Sequence, residues 1–446
     1  MEKLTTKASG LIERDHNAGK SIMRRLMMLW CLCGVWLATL ALAQAPKPEY
    51  VASATLDHAD GMYKCDEEAV FSVTLKHNDV PMTAGDFDWI LTVDGVKKIA
   101  AGKGQLGEQP AQIKGTLIEL GILRLTIVRI DDQSTQLVPI GAGYEVEKIR
   151  PTCVEPDDFA QYWEQQKALV RAIPPDVQMV KVDDRCNDKQ TTYRISFADI
   201  ENTRIYGWLS VPNAAGLYPA ILTLPSAGCA PGDPGSSWAQ AGFLSMVLYI
   251  HNYPIDLPAE KYVELQNGKL AGYMVRGREN RDTYYFRRVF LGCTRFMDYL
   301  MSRPEWDGKH LIVTGASQGG GLSLICAGLE PRVTAIVAHV PAMCDHTGCL
   351  SDRASGWPQL IPNKDPNIAK ISAYYDAVNF ARHAKCATLI STGFADTSCP
   401  ATSVYSVYAV LPQPKRIVPT PDMGHHGWAK NKYLSDKFII GLGKMP

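Results

Sequence analysis

The stretch Leu311-Ile312-Val313-Thr314-Gly315-Ala316-Ser317-Gln318-Gly319 carries Gly-x-Ser-x-Gly between an apolar run and a glycine-led helical segment. In that setting the pattern describes a nucleophile elbow, a strand-to-helix turn so tight that the residues two before and two after the serine must be small. The serine then stands above a sheet with a helix N-terminus behind it, which favours negative charge on the reacting oxygen. Ser317 is therefore the candidate nucleophile, against the plainer reading of a buried structural serine. A serine hydroxyl is a weak nucleophile without a base. In this type of fold the partners follow in the order Ser, Asp, His. Gly393-Phe394-Ala395-Asp396 follows one predicted strand, and Gly424-His425-His426-Gly427-Trp428 follows another. Asp396 can orient an imidazole and His425 can take the serine proton. His426 is a rival base, since two adjacent histidines cannot both face one serine and the spacing does not choose. Asp422 is a weaker rival acid, on the histidine's own loop. Developing oxyanion charge needs two N–H donors. One is the main chain of Gln318. The other is expected from Pro225-Ser226-Ala227-Gly228; proline has no N–H, so Ala227 is the candidate.

These loops need a scaffold. Predicted strands at Val177–Val182, Thr191–Phe197, Thr203–Val211, Ala220–Leu224, Leu244–Ile250, Leu311–Val313, Val333–Val340, Ala387–Ile390 and Arg416–Val418 are interleaved with helices. The helices are Pro156–Arg171, Tyr284–Met301, Gly319–Gly328 and Asn431–Leu442. Continuous apolar strands alternating with helices predict an α/β fold with a doubly wound, mostly parallel sheet covered on both faces. Residues 50–150 have a different texture: short β-branched or aromatic segments at Tyr50–Leu56, Ala69–Leu75, Phe87–Val93, Gly115–Ile118, Ile122–Ile130 and Gly143–Ile149, separated by turn signals. They predict a small all-β, immunoglobulin-like sandwich. It carries no catalytic constellation and reads as a structural or positioning module. A carbohydrate-binding role through Tyr63 or Trp89 is the sharper alternative.

Ahead of both, Arg24 and Arg25 precede an apolar run from Leu26 that ends Ala41-Leu42-Ala43. A basic start, an apolar middle and small residues at the cleavage position describe a secretory signal peptide, cut near Ala43. An uncleaved N-terminal anchor is the alternative. The expected organisation is a leader at 1–43, a module at 44–149 and a catalytic domain at 150–446. The chain is expected to be secreted or periplasmic, without stable membrane insertion once the leader is removed. Across 446 residues, Lys plus Arg equals Asp plus Glu at 46 each. Without the six basic and three acidic residues of the leader the balance is 40 against 43, about −3. No basic field invites nucleic acid. Ten cysteines remain beyond the leader, widely spaced. Cys344 and Cys349 are close enough to pair across a loop, while Cys326 and Cys386 read as small buried hydrophobes. With His346 the first pair could mimic a metal site, but no fourth ligand follows at zinc spacing, so no metal is expected.

The motifs together resemble the acetyl xylan esterase/cephalosporin C deacetylase family. The resemblance rests on Asp282-Thr283-Tyr284-Tyr285-Phe286-Arg287-Arg288-Val289-Phe290 and Gly315 through Gly321. Pro156-Asp157-Asp158-Phe159 with Trp163, Tyr374 through Ala381, and Asp396 with Cys399-Pro400 complete it. It spans about residues 150–446. It implies an α/β-hydrolase that removes acetyl groups from xylan and xylo-oligosaccharides without a cofactor. It also implies a triad of Ser317, Asp396 and His425 and an oxyanion donor at Ala227. Compact members assemble into oligomers, so a homo-oligomer is among the implied partners, and an added N-terminal domain could alter that assembly. The segment His251–Arg281 departs from the family pattern, which leaves substrate choice open. Tyr273, Arg276 and Arg278 in that segment, and Trp428 on the histidine loop, are candidate sugar contacts, weighed against surface or packing roles. Three functions follow: an acetyl esterase, the same triad on a feruloyl, glucuronoyl or peptide substrate, and an inactive glycan-binding protein with a hydrolase fold.

Overall fold

The computed structural model describes residues 50–230 and 232–443. The leader predicted at 1–43 lies outside them. Among the described residues no helix is long and apolar enough to cross a membrane.

The larger part is built on a mixed sheet. Its order is Gln178–Lys181, Gln190–Ala198, Arg204–Pro212, Leu244–Tyr249, Tyr218–Leu224, Trp306–Ala316, Ala335–His339, Ala387–Gly393 and Lys415–Thr420. The pairs on the Gln178 side are antiparallel as far as Leu244–Tyr249, and from there the pairing is parallel. The parallel strands are buried on both faces, as in Leu311–Ala316, because helices cover each side. Tyr285–Ser302 and Phe159–Ala172 pack their aromatic faces into one core, where Trp163 lies 5.5 Å from Phe290. This is an α/β fold as the alternating pattern predicts, and of the α/β-hydrolase-like kind that the resemblance implies.

Parallel register places several strand ends side by side. Leu224 is opposite Gly315, Ala316 opposite His339, His339 opposite Ser391, and Gly393 opposite Thr420. The loops that leave these positions carry Ala227, Ser317, Asp396 and His425. Ligand sites of open α/β sheets form at such carboxyl ends.

The N-terminal β module has two sheets. One contains Tyr50–Leu56, Ala69–His77 and Ala111–Gly115. The other runs Met62–Tyr63, Gln133–Tyr144, Gly121–Ile130, Asp86–Val93 and Lys97–Gln105. Alternating Phe71, Val73 and Leu75 are buried, as are Phe87, Leu91, Leu123 and Leu125. The strand expected at Gly143–Ile149 ends instead at Tyr144, followed by a single 3-10 turn at Val146–Lys148. Tyr63 is buried, stacked on His58 and donating to Asp57 Oδ1 at 2.7 Å, so it offers no free platform for a sugar. Trp89 lies half-buried over Gly102.

The cysteines differ from one expectation. Cys344 and Cys349 are both free thiols. The Cys344 thiol donates to main-chain carbonyls at Pro341 and Ala342, and Cys349 to His346, so each turns back onto its own segment. Cys326 and Cys386 are buried as expected.

Candidate active site

Ser317 sits between strand Trp306–Ala316 and helix Gln318–Leu329 with φ 56° and ψ −120°. A non-glycine residue in that region is strained, and the surroundings must hold it. The Ser317 N–H donates to His339 O at 2.9 Å, and its carbonyl accepts from Ala342 N at 2.9 Å and Gly321 N at 3.0 Å. The flanking glycines are there for space. A Cβ on Gly319 would lie 2.2 Å from Leu224 O, and one on Gly315 would lie 2.6 Å from the Gly319 main chain. Both obstacles are backbone and cannot swing away. Gly319→Ala is therefore expected to destabilise the fold by about 2–4 kcal/mol. Thermal denaturation checks this, and an unchanged Tm would contradict the packing.

The structure brings three of the candidate side chains together. His425 Nε2 is 2.9 Å from Ser317 Oγ, and its Nδ1 is 2.8 Å from Asp396 Oδ2. Asp396 is fully buried, and its Oδ1 accepts from Ser398 N and Cys399 N, each at 2.8 Å. Both carboxylate oxygens are thus occupied, which fixes the carboxylate plane toward the ring. Since a carboxylate accepts, Nδ1 carries the proton and Nε2 is free to accept from the serine. The rivals lie elsewhere. His426 is exposed, its ring 5.5 Å from that of His425. Asp422 is exposed and pairs with Lys430 at 2.9 Å.

Gln318 opens the helix, so its N–H has no intrahelical acceptor. Its side chain reaches sideways: Nε2 donates to Pro225 O at 3.2 Å and Oε1 accepts from Tyr273 Oη at 2.7 Å. The Ala227 loop is held from several directions. Ser226 Oγ donates to Ala316 O at 3.1 Å, and Gly228 N donates to Tyr273 Oη at 3.3 Å. His251 Nε2 donates to Gly228 O at 2.9 Å, while its Nδ1 lies 2.6 Å from Tyr285 Oη. Burial pushes the His251 pKa down to about 4, so the ring is neutral and serves as a strut.

The four candidate sugar contacts are dispersed. Tyr273 is buried, with its hydroxyl committed to Gln318 and Gly228, and it braces the loop from beneath. Arg276 is exposed and donates to Lys269 O and Ala271 O. Arg278 donates to Leu360 O at 3.3 Å. Trp428 is half-buried against His339, with ring centroids 4.9 Å apart, and is the one that stays on the histidine loop. Burial lowers the His339 pKa to about 4, so that ring too is neutral. A cavity of about 450 Å³ is lined by Lys269, Arg276, Arg287 and Arg288 but by none of the three triad-like side chains.

The sequence reading missed His251, Tyr285 and the Gln318 side chain as struts. Tyr285 lay within a quoted motif, but nothing in its spacing pointed to a histidine more than thirty positions earlier. Among the described residues no three His, Cys, Asp or Glu side chains cluster to hold a metal ion.

The acetyl xylan esterase (AXE1) family profile matches residues 144–440. Acetyl esterase Axe7A of Xylanibacter ruminicola is 33% identical over 421 residues, covering 92% of this chain and 95% of its own. The crystal structure of acetyl xylan esterase 1 from Thermoanaerobacterium sp. JW/SL YS485 superposes with a TM-score of 0.60 at 26% identity, covering 67% of this chain and 98% of that one. Acetyl xylan esterase from Paenibacillus sp. R4 shares the fold, with a TM-score of 0.59 at 24% identity over 67% of this chain and 98% of its own. With the profile running from the end of the β module almost to the C-terminus, and a relative matched along nearly the whole length, the chain belongs to the acetyl xylan esterase family.

Proposed function

We propose that this protein is a serine esterase that removes acetyl groups from xylan, xylo-oligosaccharides or related glycans. The observation that carries the reading is the continuous relay from Asp396 through His425 to Ser317, with contacts of 2.8 and 2.9 Å. In the proposed reaction Ser317 Oγ attacks the acetyl carbonyl carbon while its proton passes to His425 Nε2. The carbonyl oxygen takes the negative charge and is held by the N–H groups of Gln318 and Ala227. Each such donor contributes roughly 3 kcal/mol to transition-state stabilisation. Collapse of the intermediate breaks the ester C–O bond, and the sugar oxygen leaves with the proton from His425. Water then attacks the acetyl-enzyme by the same route and releases acetate. Asp396 keeps the imidazole in the accepting tautomer and stabilises its protonated form. Side chains, main chain and water complete this chemistry.

Further parts of the reading stand with it. The module at 44–149 is proposed as an immunoglobulin-like sandwich, the catalytic domain as 150–446, and the leader as a signal for export to the periplasm or outside. The slightly acidic mature balance suits an uncharged glycan ester.

A panel of p-nitrophenyl esters, followed by acetylated xylo-oligosaccharides, tests the substrate class. Acetate should be turned over faster than butyrate and longer chains, and a fluorophosphonate probe should label Ser317. Preference for aromatic acyl groups would overturn the acetyl assignment. Absence of both labelling and turnover would point to an inactive binding protein.

A further inference from the structure

The acid loop is touched from behind by the β module. Strand Gly121–Ile130 is buried on both faces over Gly121–Leu125. Leu123 and Leu125 belong to the buried apolar set of the module. Alternation sends Ile122 and Arg124 to the opposite face. Ile122 packs in one cluster with Phe394, Ala401 and Tyr405 of the catalytic part. Arg124 is 4% exposed, and its Nη2 donates to the main-chain carbonyl of Asp396 at 2.9 Å. Next to it Gly141 donates its N–H to Pro421 O at 3.1 Å, on the loop that leads to His425. A Cβ on Gly141 would meet Phe394 O at 2.8 Å, so the module strand and the acid loop are in full contact.

We propose that Arg124 is a positioning residue for the reaction: by holding the Asp396 carbonyl it fixes the acid loop that aims His425 at Ser317. This rests on the function proposed above. A buried guanidinium is costly unless its donors are used and its charge is balanced. One donor goes to Asp396 and Nε is left without a partner, while the negative groups that favour the charge are Asp94, buried in the same module, and Asp396 itself. Burial pushes the Asp94 carboxyl up, against the pull of Thr402, Arg124 and Arg353. The Asp396 carbonyl gives Arg124 a partner within the catalytic machinery. Shifts of about an ångström in such a loop cost on the order of 100-fold in rate.

The test uses the full chain with p-nitrophenyl acetate, each preparation titrated with a fluorophosphonate so that kcat is counted per reactive serine. Arg124→Lys keeps a positive charge near Asp94, but its shorter side chain ends before the Nη2 position from which the guanidinium holds the Asp396 carbonyl. Arg124→Met with Asp94→Asn removes the donor and the buried countercharge together. Both variants should lose about 10–100-fold in kcat per titrated site with KM within about twofold. A purely structural role would lower the number of titratable sites and leave the turnover of each unchanged. Wild-type kcat per site in Arg124→Lys overturns the proposal, and it decides alone if the double variant fails to fold. A wild-type chain that neither turns over the ester nor takes the label would instead overturn the proposed function.

Discussion

Ser317→Ala is expected to lower kcat for acetate release by about 10⁵–10⁶-fold and to abolish fluorophosphonate labelling. The size follows from the geometry. Ser317 Oγ is the oxygen within 2.9 Å of His425 Nε2, and removing it leaves the base with nothing to deprotonate but water. What survives is the contribution of substrate binding and the oxyanion donors, whose N–H groups are main chain and untouched by the change. Stability should move little. Alanine bears the same strain at φ 56°, and the main-chain bonds to His339 and Ala342 remain. The change therefore separates chemistry from folding. Acetate release and Tm measured on one preparation check it, and turnover within tenfold of wild type would remove Ser317 from the mechanism.

The adjacent histidines give the second large effect. His425→Ala should cost about 10⁴–10⁶-fold in kcat, whereas His426→Ala should stay within about twofold. The two residues share a loop, a chemical type and nearly the same position in the chain, so local damage would strike both alike. Only His425 lies between a buried carboxylate and the serine; His426 points to solvent. Partial recovery of His425→Ala by added imidazole would show that a missing base, rather than a distorted loop, caused the loss. Equal losses in the two variants would refute the relay.

Much of this site was legible because its constraints are local. The elbow needs small residues at fixed positions, and Gly315 and Gly319 display that in the sequence itself. The acid and histidine loops could be placed because each follows a predicted strand, in the Ser, Asp, His order that the elbow's type of fold requires. Other parts were illegible for physical reasons. Lys97–Gln105 is a strand although it reads as lysine, alanine and glycine, because it is a half-exposed edge strand whose small residues let Trp89 and Phe87 lie across it. Ala401–Val410 is rich in valine and tyrosine, which favour strands, yet it is a helix. Its burial against Phe394 and Ile122 overrides propensity. Tyr273 was a candidate sugar contact with packing as the alternative, and its buried hydroxyl bonds Gln318 and Gly228. Sequence cannot tell a ring that faces a ligand from one that supports the loop beneath it. The choice between His425 and His426 also depended on tertiary contacts with Asp396 and Ser317.

The contact between Phe394 and the β module has a consequence for modularity. The family profile begins at residue 144, and a chain cut there would look complete by that profile alone. It would also lose strands Gly121–Ile130 and Gln133–Tyr144, leaving Phe394 and Tyr405, both buried now, on an open apolar face. Such faces drive aggregation. The start of the family profile is therefore not a boundary of folding, and the N-terminal strands are not an accessory that can be exchanged or shed. In this protein the catalytic part inherits one of its walls from the segment that precedes it.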